Sequence, residues 1–134
     1  MAKFESRFGL EDRVYFCDYE PYAPVPWVVF ETKVTEVHFP THYQELFVRY
    51  STDATGSMSE CCFADNPDEA FRAGRASFIT YFHDLLKGKG HRRYAKHGLE
   101  LDKKNGLRYI LIPTKGRRKV CKLKEDACGE IARS

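Results

Sequence analysis

At Asn66 the hydrophobic period of the chain changes. Upstream, apolar residues recur at every second position in short runs, the period of a half-buried strand; downstream they recur at 3.6, the period of an amphipathic helix. The switch is marked by Asn66-Pro67-Asp68-Glu69: a side-chain acceptor for the N-cap, a proline at the first helical position, and acids against the positive end of the helix. A helix is predicted from Pro67 to about Lys87, with Phe71, Phe78, Phe82 and Leu85 in one stripe beside Ala70, Gly74, Tyr81 and Leu86. Gly88 and Gly90 are placed to supply a left-handed cap. The chain is therefore read as α+β, with strands first and a long helix after them.

The strands can be bounded. Arg13 to Tyr19 alternates, with Val14 and Phe16 on one face and Tyr15, Cys17 and Tyr19 on the other. Three prolines in Glu20-Pro21-Tyr22-Ala23-Pro24-Val25-Pro26 fix φ and remove ladder donors, which makes this segment an extended loop. Trp27 to Phe39 is a long strand whose apolar residues change face near Lys33, so a bulge or bend is expected there. Tyr43 to Thr52 and Ser57 to Phe63 are two more strands, joined by the turn Asp53-Ala54-Thr55-Gly56. Strands joined by short turns form an antiparallel sheet, and closure into a barrel removes its unpaired edges. Beyond the helix, Leu99 to Lys103 and Leu107 to Ile112 flank Lys104-Asn105-Gly106, and Asn-Gly between apolar alternations predicts a β-hairpin. The remainder is a basic tail, with Glu125-Asp126 able to start a short last helix.

With 134 residues, 43% of them hydrophobic and 14% aromatic, the chain suits one domain, 1–134, rather than a disordered or fibrous segment. Its expected parts are a barrel over 6–65, a helix over 66–88 and a basic hairpin and tail over 89–134. No apolar run is long enough to span a membrane and the start lacks the features of a secretory signal, so a cytoplasmic protein is expected. Five cysteines, an odd number, point to reduced thiols. Cys61 and Cys62 are adjacent and Cys121 and Cys128 are seven apart, without the short knuckle of a structural zinc site, so no metal or other cofactor is expected. On a strand, one of Cys61 and Cys62 would face the core and the other solvent.

The charge is unevenly divided. Residues 1–86 hold 7 Lys and Arg against 14 Asp and Glu, a net of −7, whereas residues 87–134 hold 15 against 5, a net of +10. Either the halves neutralise each other or one of them is an interaction surface. The basic residues cluster as Lys87, Lys89, Arg92, Arg93 and Lys96, then Lys115, Arg117, Arg118, Lys119, Lys122 and Lys124.

Catalytic signals are thin. Asp102 and Lys104 have the D-x-K spacing of metal-dependent nucleases, but they fall at the expected tip of a solvated hairpin. The five histidines lack H-E-x-x-H spacing, and no phosphate-cradling or nucleophile-elbow motif occurs. No enzyme is expected. Tyr19, Tyr22 and Trp27 flank the proline loop, where exposed aromatics anchor protein interfaces; Tyr22, with prolines on either side, has no place in an alternating strand.

Three stretches, Phe8-Gly9-Leu10-Glu11-Asp12-Arg13-Val14-Tyr15, Trp27 to Phe39, and Ser59-Glu60-Cys61-Cys62-Phe63 before Asn66-Pro67-Asp68-Glu69-Ala70-Phe71, together resemble small SH3-like barrels encoded by phages and bacteria. Those domains open with an acidic turn before a Val-Tyr strand, often with Gly where this chain has Glu11, and end with a Phe, a gap and a D-E-A helix start. The resemblance covers about residues 6–72, and it implies a fold and an absence of catalysis. The leading expectation is a phage-type binding protein that engages a protein complex handling nucleic acid. Glu31, Glu36 and Glu45 would form a phosphate-mimicking face and Tyr19, Tyr22 and Trp27 a contact loop, as in an anti-CRISPR inhibitor of a host defence nuclease. The alternative is a direct DNA or RNA binder using Arg92, Arg93, Lys115, Arg117, Arg118 and Lys119. No membrane partner is expected.

Overall fold

A computed structural model describes residues 5–41 and 47–114 and the backbone of 132–133. In chain order these form β1 (Arg13–Tyr19), β2 (Trp27–His38), β3 (Arg49–Thr52), β4 (Met58–Ser59), a 3-10 turn (Glu60–Cys62), α1 (Pro67–Lys87), α2 (Arg92–Asn105), β5 (Arg108–Pro113) and β6 (Ala132–Arg133). Strands β1 to β4 pair antiparallel in sequence order and curl into a half-barrel, and the helices pack on its outer face.

The long strand β2 organises everything else. Val34 exchanges backbone hydrogen bonds with the Glu11–Asp12 turn, on the β1 side, whereas the carbonyls of Lys33 and Glu31 accept from Asp53 and Thr114. One edge of β2 therefore holds β1, and the other holds β5 beside its first half and β3 beside its second. β5 runs parallel to β2, with Val28 opposite Ile110 and Phe30 opposite Ile112. The bend expected near Lys33 lies between Val34 and Glu36, where the register with β3 shifts.

Because successive side chains alternate across a strand, the first half of β2 contributes to two cores. Val28, Phe30 and Val34 join Val14, Phe16, Tyr50 and Phe63 inside the half-barrel. Trp27 and Val29 face the helices, with Tyr19, Phe71, Phe82 and Tyr109. Burial on both faces explains why this strand opens with a continuous apolar run, Trp27-Val28-Val29-Phe30.

α1 begins where the sequence places it. Asn66 Oδ1 accepts from the Glu69 N–H at 2.8 Å, and Asn66 Nδ2 donates back to the Glu69 carboxylate at 3.2 Å. α1 ends at Lys87, as expected, but without the left-handed glycine cap. Gly88 has φ −96°, and the left-handed residue is His91, at φ 61°.

Two segments differ more. The strand expected over Ser57–Phe63 stops at Ser59 and gives way to the 3-10 turn, closed by Phe63 N–H donating to Glu60 O at 3.1 Å. Glu60 is held by Tyr50 Oη and by the Arg7 N–H, which draws the chain out of the ladder. Alternation is lost with it, and Cys61 and Cys62 are both exposed.

The hairpin expected over 99–112 is replaced by α2 and β5. Leu99–Lys103 are helical, and Gly106, at φ 65°, ends the helix. Asn105 Nδ2 donates to Arg108 O at 2.6 Å, and Arg108 Nε donates to Asn105 O at 2.8 Å, which turns the chain into β5. β5 does pair antiparallel with β6, Tyr109 opposite Ala132. The short helix expected at Glu125-Asp126 lies outside the described residues. No described helix is long and apolar enough to cross a membrane.

Candidate nucleic-acid interface

α2 is built to be pinned on one side and charged on the other. Ala95 and Gly98 lie against α1, and a Cβ added at Gly98 would stand 2.6 Å from the Phe82 ring, so glycine permits the close crossing of the two helices. Asp102 completes the attachment. Its carboxylate accepts from Arg75 Nε and NH2 at 2.7 and 2.8 Å and from Trp27 Nε1 at 2.9 Å, tying α2 to α1 and β2. Its side chain is only 10% exposed, not at the solvated tip expected for a D-x-K pair, and Lys104 lies on the outer face.

At 100° per residue, Arg92, Arg93, Lys96, His97, Lys103 and Lys104 fall within an arc of roughly 140° on the side of α2 away from Ala95, Gly98 and Asp102. All six are exposed, and Glu100 is the one carboxylate in that arc. Among the described residues none of them forms an ion pair: the salt bridges are Arg7–Glu69, Arg13–Glu31, His38–Glu36, Arg75–Asp102 and Lys87–Asp84. Among the described residues no ion pair joins an acid of the body to a cation of α2.

The start of α2 is electrostatically the reverse of the start of α1. It has no acid in its first turn and no side-chain cap, and Arg92 and Arg93 add positive charge to the positive end of the helix dipole. That arrangement opposes folding and favours a bound anion. A cleft of about 510 Å³ opens there, lined by Leu86, Arg92, Arg93, Lys96, His97 and Glu100. Of the other cationic residues expected to bind nucleic acid, Lys115, Arg117, Arg118 and Lys119 lie outside the described residues.

The acidic set is differently placed. Glu31 is engaged by Arg13 at 3.6 Å and by Tyr15 Oη at 3.0 Å; Glu36 is exposed beside His38 at 3.4 Å; Glu45 lies outside the described residues. Other acids of the body serve as internal ties: Glu60 to Tyr50, Asp68 to Tyr109 and Glu69 to the helix cap. In the loop set, Tyr22 is 84% exposed, whereas Tyr19 and Trp27 are buried in the helix-side core. Their position beside the proline loop is shared, but the strand register turns both inward. Among the described residues no group of three or more His, Cys, Asp and Glu is placed to hold a metal ion.

Sequence reasoning located Arg92, Arg93 and Lys96 by their clustering but missed Lys103 and Lys104 as members of the same surface. The signal that unites them is helical spacing, visible once 92–105 is read at period 3.6.

Comparison with protein-family models, curated proteins and solved structures finds no match for this chain. The curled antiparallel half-barrel is compatible with a small barrel fold.

Proposed function

We propose that this protein binds the phosphate backbone of a nucleic acid through the exposed face of α2, without catalysing a reaction on it. The observation that carries the reading is the row of cations along α2, none of them ion-paired among the described residues, at a helix start without acid or cap. A helix of 14 residues is about 21 Å long, enough to follow several successive phosphates of one strand. Phosphate contacts of this kind position a protein without reading sequence, and their affinity falls with salt as counterions are released.

The test is a salt titration of binding to duplex and single-stranded DNA and RNA, comparing the parent with the triple variant Arg92→Gln, Arg93→Gln, Lys96→Gln. All three side chains are exposed, so the fold should persist. The triple variant is expected to bind more weakly and to show a salt slope shallower by up to about 3, about one unit per lost phosphate contact. An unchanged slope and affinity would overturn the reading. So would a parent that binds none of these nucleic acids at low salt, and the phosphate-mimic reading through exposed Glu36 would then be the one to pursue.

A further inference from the structure

A second cavity, separate from the basic face, lies where α1 crosses β1. It has a volume of about 440 Å³, within the roughly 300–1,000 Å³ usual for small-molecule sites. Phe16 and Phe30 contribute stacked rings, 4.9 Å between centroids, and Met58 and Phe78 add apolar wall. On the α1 side the lining residues include Ala73, Gly74 and Ser77, too small to fill the space. Gly74 is required by the fold, since a Cβ there would stand 2.5 Å from Cys17 Cβ.

One charged side chain lines this cavity, that of Asp18. Its Oδ1 accepts from the Tyr19 N–H at 2.9 Å, and its Oδ2 has no hydrogen-bond partner among the described residues. Partial burial raises its carboxyl pKa above the ordinary aspartate value, as expected of a carboxylate partly shielded from water with no cation beside it among the described residues. Cys17 and Cys62, which share the lining, are held toward the neutral thiol. Burial pushes Cys17 up to about 12 and raises Cys62 as well.

The cavity is therefore mainly apolar in its walls, with Thr55 and Ser77 as neutral polar groups, and anionic at a single point. A neutral ligand would leave the Asp18 charge unanswered, and an anion would be repelled by it. We infer that this cavity is a binding site for a small organic monocation, an ammonium group joined to an apolar body about the size of one aromatic ring, with the ammonium donating to Asp18 Oδ2. Complementary charge in a partly desolvated site supplies the selectivity, and the aromatic walls supply contact area for the body and a face for the cation. The inference does not rest on nucleic-acid binding, and either can fail alone.

The test uses the full chain near neutral pH and three probes of similar shape, 2-phenylethylammonium, 2-phenylethanol and phenylacetate, followed by calorimetry and ligand-observed NMR. The ammonium is expected to bind about tenfold or more tighter than the alcohol, a difference of about 1.4 kcal/mol, and phenylacetate weakest. Asp18→Asn should bring ammonium and alcohol within about twofold of each other, because the shape is kept and the charge removed. Ser77→Phe, a change at an exposed helical position that fills the cavity and leaves Asp18 in place, should abolish binding of all three. Bound ammonium should also slow alkylation of Cys61 and Cys62, which share the lining. The inference is overturned if alcohol and ammonium bind alike to the parent, if Asp18→Asn keeps the preference, if Ser77→Phe binds as the parent does, or if the ammonium does not bind.

Discussion

Glu11 and Asp18 each carry a conformational or electrostatic cost that a substitution can release. Glu11 has φ 69° at the third position of the turn Gly9–Asp12, where Asp12 N–H donates to Gly9 O at 3.1 Å. A positive φ at that position is what a type II turn asks of glycine, and a side chain there costs about 1–2 kcal/mol. Gly in place of Glu11 loses roughly 0.5–1 kcal/mol through the freer unfolded chain, so Glu11→Gly should stabilise the protein by about 0.5–1 kcal/mol in urea melts. A lower midpoint would show that the turn is not strained. Asp18 is the second. Because burial raises its folded pKa above its unfolded one, the penalty is absent below the unfolded carboxyl range and complete above the raised folded value. Asp18→Asn should therefore melt higher than the parent at neutral pH, and the gap should close as pH falls through the raised value toward the ordinary aspartate range. A gap that widens on acidification would mean that the fold stabilises the carboxylate. The expectation that one of two adjacent cysteines points inward belongs to the same scale, and it fails because Glu60 leaves the ladder to meet Tyr50 and the Arg7 N–H.

Among the elements, α1 was legible to the residue and α2 was not. Asn66, Pro67, Asp68 and Glu69 are local signals whose partners lie within one turn, and they act as read. Asn105-Gly106 is a local signal with two meanings, since a left-handed glycine serves both a hairpin turn and a helix end. What selects the helix is contact outside the segment: Ala95 and Gly98 against α1, and Asp102 on Arg75 and Trp27. Gly98→Ala tests that contact. Alanine improves helix propensity by about 1 kcal/mol, but its methyl would meet the fully buried Phe82 ring at 2.6 Å, and overpacking of this kind costs about 1–3 kcal/mol. A net loss of up to about 2 kcal/mol is expected. Gly90→Ala, with nothing within 4 Å and φ outside the left-handed region, should be neutral or slightly stabilising. Equal melting temperatures for the two variants would show that α2 does not pack closely on α1.

For the whole molecule, β2 couples the two cores because its adjacent residues face opposite ones, Trp27 and Val29 toward the helices and Val28 and Phe30 into the half-barrel. Neither core should melt without the other. Trp27 is the only tryptophan and sits fully buried in the helix-side core, so its fluorescence reports that core alone, whereas far-ultraviolet circular dichroism reports every element. Their denaturant midpoints should coincide; separated midpoints would mean that the cores unfold independently. What the sequence determined by itself is what short-range physics can encode: the alternation of β1 and β2, the proline loop with its exposed Tyr22, the capped start of α1, and the clustering of Arg92, Arg93 and Lys96. The tertiary structure decided where meaning depended on distant partners. β5 lies parallel to β2 across more than 80 positions of chain, Tyr19 and Trp27 turn inward onto the helices, and Glu31, Glu60 and Asp68 are drawn into ties with tyrosines. Alternation and capping are settled within a few residues, whereas parallel pairing, burial on both faces of a strand and the partner of a carboxylate are settled only when the whole chain has closed.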